Sequence, residues 1–325
     1  MNIALIGHWS AHPHISGGDE QTRPSTPQAL ADLARGLSAG GHAVEVLPFG
    51  SGADCARALE AVSSPYVPVI HGADETGSRA LGERLLQILG SSQAPRIIVE
   101  GGHSAFPDAG FGFLEALTGI HLPFDASSVA RLPEAIAAAR KIVASAQIRV
   151  AASTARPLIG PTSPLLIGPD LLPRNDVDPA LVRDLGRLRL PTAALPLADT
   201  QPPDFFRLPG SGAAGGAAGI LAACGARLAP TGDILATLTD LSDRIAASDL
   251  VVIAEPEMHS SSLAEAHVDT IAQLAADYAL PVVVAAIESS LSRHEWAQWG
   301  IHGVVTAGEN CEERGHRIAR TWARP

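Results

Sequence analysis

Short apolar runs rich in Val and Ile alternate along this chain with longer stretches of helical periodicity. That alternation marks strands feeding crossover helices in a largely parallel sheet. The runs that predict strands are 3–7, 43–49, 67–70, 96–100, 148–152, 164–168, 250–254, 281–287 and 303–307. Helical periodicity predicts helices over 27–39, 78–89, 112–117, 132–146, 179–188, 213–224, 234–247, 263–278 and 290–299. Ser25 stands where it can cap the first helix, with Thr26-Pro27 in the opening turn. The fold class expected is therefore α/β.

Two stretches interrupt the alternation. The proline-rich segment 190–210, LPTAALPLADTQPPDFFRLPG, reads as a domain crossing, and 325 residues suit two domains. It runs into LPGSGAAGGAAG (208–219), the part of the chain poorest in side chains. Glycines ahead of an apolar helix can present amides to an anion. They can equally allow two pieces of backbone to pack closely. The spacing matches neither a P-loop nor a dinucleotide fingerprint, so both readings stay open.

Composition narrows the function classes. A 46% hydrophobic fraction, 18% charged residues and a net charge of −11 describe a soluble globular chain, and the acidic balance argues against a nucleic-acid-binding basic face. No apolar run reaches the length of a membrane span, and the first residues read as a strand rather than a signal peptide. Cys55, Cys224 and Cys311 are scattered without metal-type spacing and read as reduced thiols of a cytoplasmic protein.

Ligands of open parallel sheets gather beyond the carboxyl ends of the strands. Here four predicted strand ends are followed by histidines: His8, His71, His103 and His259. With His12 and His14 of HWSAHPH, and with Asp19 and Glu20, they form a candidate ligand set for Zn²⁺ or Fe²⁺.

Read in order, several motifs resemble the bacterial glycerate kinase family. LPGSGAAGG followed by a helix and then SDLVVIAEPE resembles that family's PGSGAAGG, long helix and DLVITGEGRLDGQTLxGK. IIVEGGHSAFPDAGFGFLEALTG (97–119) is similar to IIIGLGGSATNDGGAGMLQALG, and RVAASTARPLIGPTSP (149–164) to EVACDVDNPLLGPRGA. The resemblance implies a Rossmann-like parallel-sheet domain built from residues 1–64 and 205–325, with an α/β domain of residues 65–204 inserted. It also implies ATP-dependent, Mg²⁺-assisted phosphoryl transfer to D-glycerate or a related small hydroxy acid. Asp108 and Glu255 are the catalytic candidates it leaves. Arg23, Ser104, Arg156, Gly210, Ser211, Gly212, Gly215 and Gly216 are the candidates for phosphate or substrate binding. A homodimer is the expected assembly, since dimers are the commonest oligomers.

The departures fall on chemistry rather than on framework. The Asp and Lys of the family's PDSFKGS have no counterpart in GHWSAHPHISGGDEQTRPS unless Asp19 and Arg23 substitute for them. The TND of the second motif is Phe106-Pro107-Asp108. The CDVDNP of the third carries Ser153, Ala155 and Arg156 at its Asp and Asn positions. In the fourth, Glu255 and Glu257 remain, and Ala266 or His267 stands near the Lys position. Lys141 is the one lysine of the chain. Phosphoryl transfer depends on cations that stabilise phosphate oxygens. A catalytically silent homologue that binds a small acid, a nucleotide or a protein partner is therefore the alternative expectation.

Overall fold

The computed structural model describes residues 1–10, 23–72, 75–91, 95–104, 106–168, 172–190, 204–259 and 267–323. The chain divides into two compact units, Met1–Ser64 with Thr231–Pro325, and Pro65–Pro230. The strands in chain order are β1 (Asn2–Gly7), β2 (Ala43–Pro48), β3 (Val67–Ile70), β4 (Arg96–Gly101), β5 (Gln147–Ala152), β6 (Arg227–Pro230), β7 (Leu250–Ala254), β8 (Glu257–Met258), β9 (Val282–Ala285), β10 (Glu288–Ser289) and β11 (Gly303–Val305).

The first unit holds a parallel five-stranded sheet in the order β11-β9-β7-β1-β2, with β8 and β10 paired beside it as a separate short ribbon. Every residue of β7 and β9 is buried, as continuous Val/Ile/Ala runs require in a sheet covered on both faces. One face packs helices Thr26–Ser38 and Cys311–Trp322 through Leu30, Leu33, Leu37 and Ile318. Trp9, which follows β1, is part of this core.

The second unit holds a parallel four-stranded sheet, β3-β4-β5-β6. Its core joins Ile97, Val99 and Val150 to Phe111, Phe113 and Leu114 of helix Phe111–Thr118 and to the Ala/Ile/Leu surface of helix Ala217–Ala223. The segment from 205 to 230, expected in the domain of the two termini, belongs to this unit. The reason is hydrogen bonding: β6 pairs with β5 from Arg149↔Arg227 to Ala152↔Pro230.

Most elements fall where hydrophobic periodicity placed them, and the differences have local causes. The apolar run 164–168 is a set of turns, because Ser163 takes over its backbone: the Leu165 and Ile167 amides donate to Ser163 Oγ and O. Helix 234–247 is two helices, Thr231–Leu238 and Leu241–Ala246, divided at Asp240 with φ of 49°. Helices Ala53–Ala61 and Cys311–Trp322 and strand β6 were not anticipated. Ser25 occupies the N-cap position of the first helix, but its side chain makes no capping hydrogen bond. Among the described residues, no helix is long and apolar enough to cross a membrane.

The contact between β1 and β7 positions the site of the first unit. The two strands run in register from Ile3↔Leu250 to Gly7↔Ala254, and the His8 amide continues the ladder by donating to Ala254 O at 2.9 Å. Gly7 has φ of 140°, and a Cβ there would lie 2.2 Å from Ala254 O. No side chain fits without parting the strands. Gly7→Ala is expected to destabilise the first unit by about 1–3 kcal/mol, as overpacked core positions do, measured by urea denaturation.

Candidate functional site

The strongest convergence of chemistry lies at the carboxyl ends of β1 and β7. The strand register sets His8 beside Glu255, and His267, at the N-cap of helix Val268–Asp277, completes a triangle. His8 Nε2 is 3.0 Å from Glu255 Oε2, His267 Nε2 is 2.8 Å from the same oxygen, and the two Nε2 atoms are 2.9 Å apart. All three side chains are buried. The rings meet edge to face, with centroids 4.8 Å apart and an interplanar angle of 70°. Behind His8 stands a buried Asp54, whose Oδ2 is 3.9 Å from His8 Nδ1 and accepts from Ser10 Oγ at 2.7 Å and Thr26 Oγ1 at 3.2 Å. The Ser10 amide lies 3.2 Å from His8 Nδ1.

Other predicted groups of the first unit have different employment. Arg23 donates to the fully buried Glu257 at 2.5 Å, so its charge balances a carboxylate of the protein itself. His259 contacts Ser290 Oγ at 2.8 Å and lies 3.5 Å from Glu288, and with Glu257 these form a second, less buried acidic and imidazole group. His12 and His14, with Asp19 and Glu20, lie outside the described residues.

In the second unit Asp108 is the hub of a turn. Its two oxygens accept from the Ser78 amide and hydroxyl, at 2.9 and 2.8 Å, and from the Gly110 and Gly112 amides, at 3.1 and 3.2 Å. A carboxylate with four donors fixes the start of helix Phe111–Thr118, and its hydrogen bonds go to the protein itself. Arg156 likewise donates to the carbonyls of Thr162, Ser163, Ile167 and Gly168, and lies 3.5 Å from His103 Nδ1. It clamps the turns that replaced the expected strand.

The glycine run resolves in the same direction. The amides of Gly210, Ser211, Gly212, Ala213, Ala214 and Gly216 donate to the carbonyls of Ala155, Leu208, Arg156, Gly210, Gly102 and Ala213, at 3.0–3.1 Å. The Ser211 hydroxyl is buried between the Leu158 amide and Phe206 O. An anion cradle needs amides that point outward, and these point into the protein. Gly216 has φ of 107°, and a Cβ would lie 2.6 Å from Ala109 C, so close backbone approach explains the glycine. Gly215 instead offers its carbonyl to the Gly110 amide. Ser104 is buried near this loop, and its hydroxyl has no hydrogen-bond partner among the described residues.

Two features escaped the sequence. His267 stands in the sequence only near the family's lysine position, inside the predicted helix 263–278, and no local pattern marks it. Glu100, at the end of β4, is a buried carboxylate that accepts from Ser153 Oγ at 2.5 Å. His71 is buried 3.1 Å from Glu75, and burial holds its imidazole below the ordinary value. Burial also pushes the Cys224 thiol up to about 12 and the Cys311 thiol up to about 11, which keeps both protonated and unreactive at neutral pH.

Two outcomes follow. Asp108→Ala strands four donors and is expected to cost at least about 3 kcal/mol, given about 1.5–3 kcal/mol per hydrogen bond to a charged group, read as a lowered denaturation midpoint. The folded state also resists protonation of His71, whereas the unfolded chain takes that proton near the ordinary imidazole value of 6.5. Its stabilising effect is therefore complete above that pH and declines as pH falls through it. His71→Gln is expected to flatten the decline between pH 7 and 5.

Similarity to known proteins agrees with this architecture. A model of the glycerate kinase family matches residues 71–323. The uncharacterised Mb2228c protein of Mycobacterium bovis is 29% identical over 258 residues, covering 79% of this chain and 62% of that protein. Glycerate 2-kinase of Escherichia coli K12 is 30% identical over 217 residues, covering 64% of this chain and 56% of the enzyme. The matched segments thus span less than two thirds of these relatives' own length. A solved structure from Salmonella typhimurium LT2, described as a glycerate kinase 2, shares the fold with a TM-score of 0.64 at 18% identity, covering 99% of this chain and 98% of that one. On its motifs, its fold and the family match over residues 71–323, the chain belongs to the glycerate kinase family.

Proposed function

We propose that this chain is an ATP-dependent phosphotransferase acting on D-glycerate or a related small hydroxy acid, with Glu255 as its general base. The observation that carries the reading is the placement of Glu255, buried beside His8 at the carboxyl ends of two central parallel strands, in a chain of this family. Beyond such strand ends, α/β proteins hold their ligands. A carboxylate there can accept the proton of the attacking hydroxyl, and a neighbouring imidazole can pass that proton on. The Mg²⁺ that the family implies suits oxygen ligands. The two imidazoles beside Glu255 do not make such a cage, and Asp108 has its oxygens filled, so no step is routed through that ion.

A second reading, a catalytically silent homologue that binds a small acid, a nucleotide or a protein partner, is favoured by one observation. The groups that would handle phosphate, Arg23, Arg156 and the amides of 210–214 and 216, are committed to partners within the protein. Lys141 sits exposed in the last turn of helix Leu132–Val143. Loss of a single charge-stabilising donor typically lowers kcat by about 10²–10³-fold.

A coupled ADP-release assay with ATP, Mg²⁺ and D-glycerate separates the two. The kinase reading expects D-glycerate-dependent turnover that falls by at least about 10²-fold in Glu255→Gln, the scale of a lost general base. Clean calorimetric binding of ATP or D-glycerate without turnover replaces it with the silent reading. Absence of both turns the search to a protein partner.

A further inference from the structure

The triangle of His8, Glu255 and His267 has a difficulty as a purely hydrogen-bonded cluster. Three acceptor-capable atoms lie 2.8–3.0 Å from one another. If both imidazoles donate from Nε2 to Glu255 Oε2, two N–H groups crowd one oxygen, with their nitrogens only 2.9 Å apart. If one imidazole donates to the other, the acceptor nitrogen faces the carboxylate lone pairs at 2.8 Å or 3.0 Å with no proton of its own between them. A cation shared by all three atoms removes the conflict. The surroundings keep water from screening it, since His8, Glu255 and His267 are 3%, 0% and 1% exposed.

We infer that His8 Nε2, His267 Nε2 and Glu255 Oε2 form a binding site for a divalent first-row transition ion such as Zn²⁺, Mn²⁺ or Co²⁺. Two imidazoles and one carboxylate are the donor set that such ions take, whereas Mg²⁺ and Ca²⁺ prefer oxygen alone. Spacing supports three adjacent corners of an octahedron. With metal–ligand bonds of about 2.1 Å, octahedral neighbours stand about 3.0 Å apart and tetrahedral ones about 3.4 Å. The observed edges are 3.0, 2.9 and 2.8 Å. Such a triad caps one face of the ion.

The outer shell offers one acidic group, Asp54, at 3.9 Å from His8 Nδ1. An imidazole that binds through Nε2 carries its proton on Nδ1 and needs an acceptor there. Asp54 Oδ2 is held by Ser10 and Thr26 hydroxyls. Here His8 Nδ1 accepts from the Ser10 amide at 3.2 Å, so an ion on Nε2 requires that the His8 proton stand on Nδ1, that this contact be released and that Asp54 move closer. The second group of the first unit, Glu257, His259 and Glu288, is the poorer competitor, because Arg23 already balances Glu257.

The inference concerns the carboxylate assigned above as base but does not rest on phosphoryl transfer, since the ion is titrated without nucleotide or acid. The test uses the full chain, purified without a histidine tag and stripped with chelator. Zn²⁺ and Mn²⁺ are titrated by calorimetry, and Co²⁺ is followed through its visible absorption. One ion per chain is expected, together with a rise in melting temperature. His267→Ala and Glu255→Gln are expected to abolish saturable binding, and Asp54→Asn to weaken it by about 10–100-fold, the usual cost of losing an outer-shell partner. Circular dichroism establishes that each variant is folded. Failure of the folded wild-type chain to bind any of the three ions overturns the proposal whatever the variants do. Undiminished binding by folded His267→Ala and Glu255→Gln overturns it too, by placing the ion elsewhere.

Discussion

The site of the first unit depends on one strand register. β1 and β7 are separated by most of the chain, and parallel pairing from Ile3↔Leu250 to Gly7↔Ala254 makes their next residues neighbours. Those residues are His8 and Glu255. A slip of one strand by one residue would turn its side chain to the other face and part the pair, because side chains alternate along a strand. Gly7 makes the register tolerable, since any side chain there would run into Ala254 O. His267 then reaches the same point from the start of the helix that follows β7. The convergence is a product of topology: two adjacent strand ends and one helix start, each contributing one group.

The second unit turns similar materials to a different end. Asp108 gathers amides and a hydroxyl at 2.8–3.2 Å and so fixes a turn. The glycine run gathers its own amides onto carbonyls of neighbouring segments. Buried backbone groups must be paired, and here the pairing is internal. A loop whose N–H groups hold its own fold has few left for an anion. In this chain the glycines of LPGSGAAGG serve close packing, with Gly216 against Ala109 as the tightest contact. Arg156 follows the same logic, giving its guanidinium to four carbonyls.

The sheet strands were legible because both faces are buried, so β7 and β9 read as unbroken apolar runs and β4 and β5 as apolar runs interrupted only by Glu100 and Arg149. Strand β6, RLAP, was not, since it sits at a sheet edge and is only partly buried. The apolar run 164–168 misled for the opposite reason: burial of Leu165 demanded an apolar residue, while Ser163 demanded a turn. Helix Cys311–Trp322 is mostly polar, yet Asn310 and Glu313 at its start were a readable cap. Within the site, His8 and Glu255 could be picked from their positions after apolar strands. His267 could not, because its partners lie 12 and 259 positions away and no local pattern links them. Arg23 and Asp108 were candidates by resemblance to the family's motifs, and a motif position does not reveal whether a partner is already supplied.

Partner supply is what separates the buried carboxylates of this protein from one another. Glu257 meets a guanidinium, so its negative charge is balanced by a group that stays protonated at any relevant pH. Glu100 takes a hydrogen bond from a neutral hydroxyl. Asp54 takes two hydroxyls and an Arg57 contact. Glu255 is different, because the groups facing its Oε2 are imidazoles, whose charge depends on protons that three mutually close atoms cannot share without conflict. A buried charge is costly unless it is paired. The fold holds this one at the carboxyl ends of two central strands, and the partners it meets there include two imidazoles, groups whose protons and ligands exchange. Exchangeable charge beside a buried carboxylate is the property that distinguishes this part of the molecule as a working site rather than scaffold.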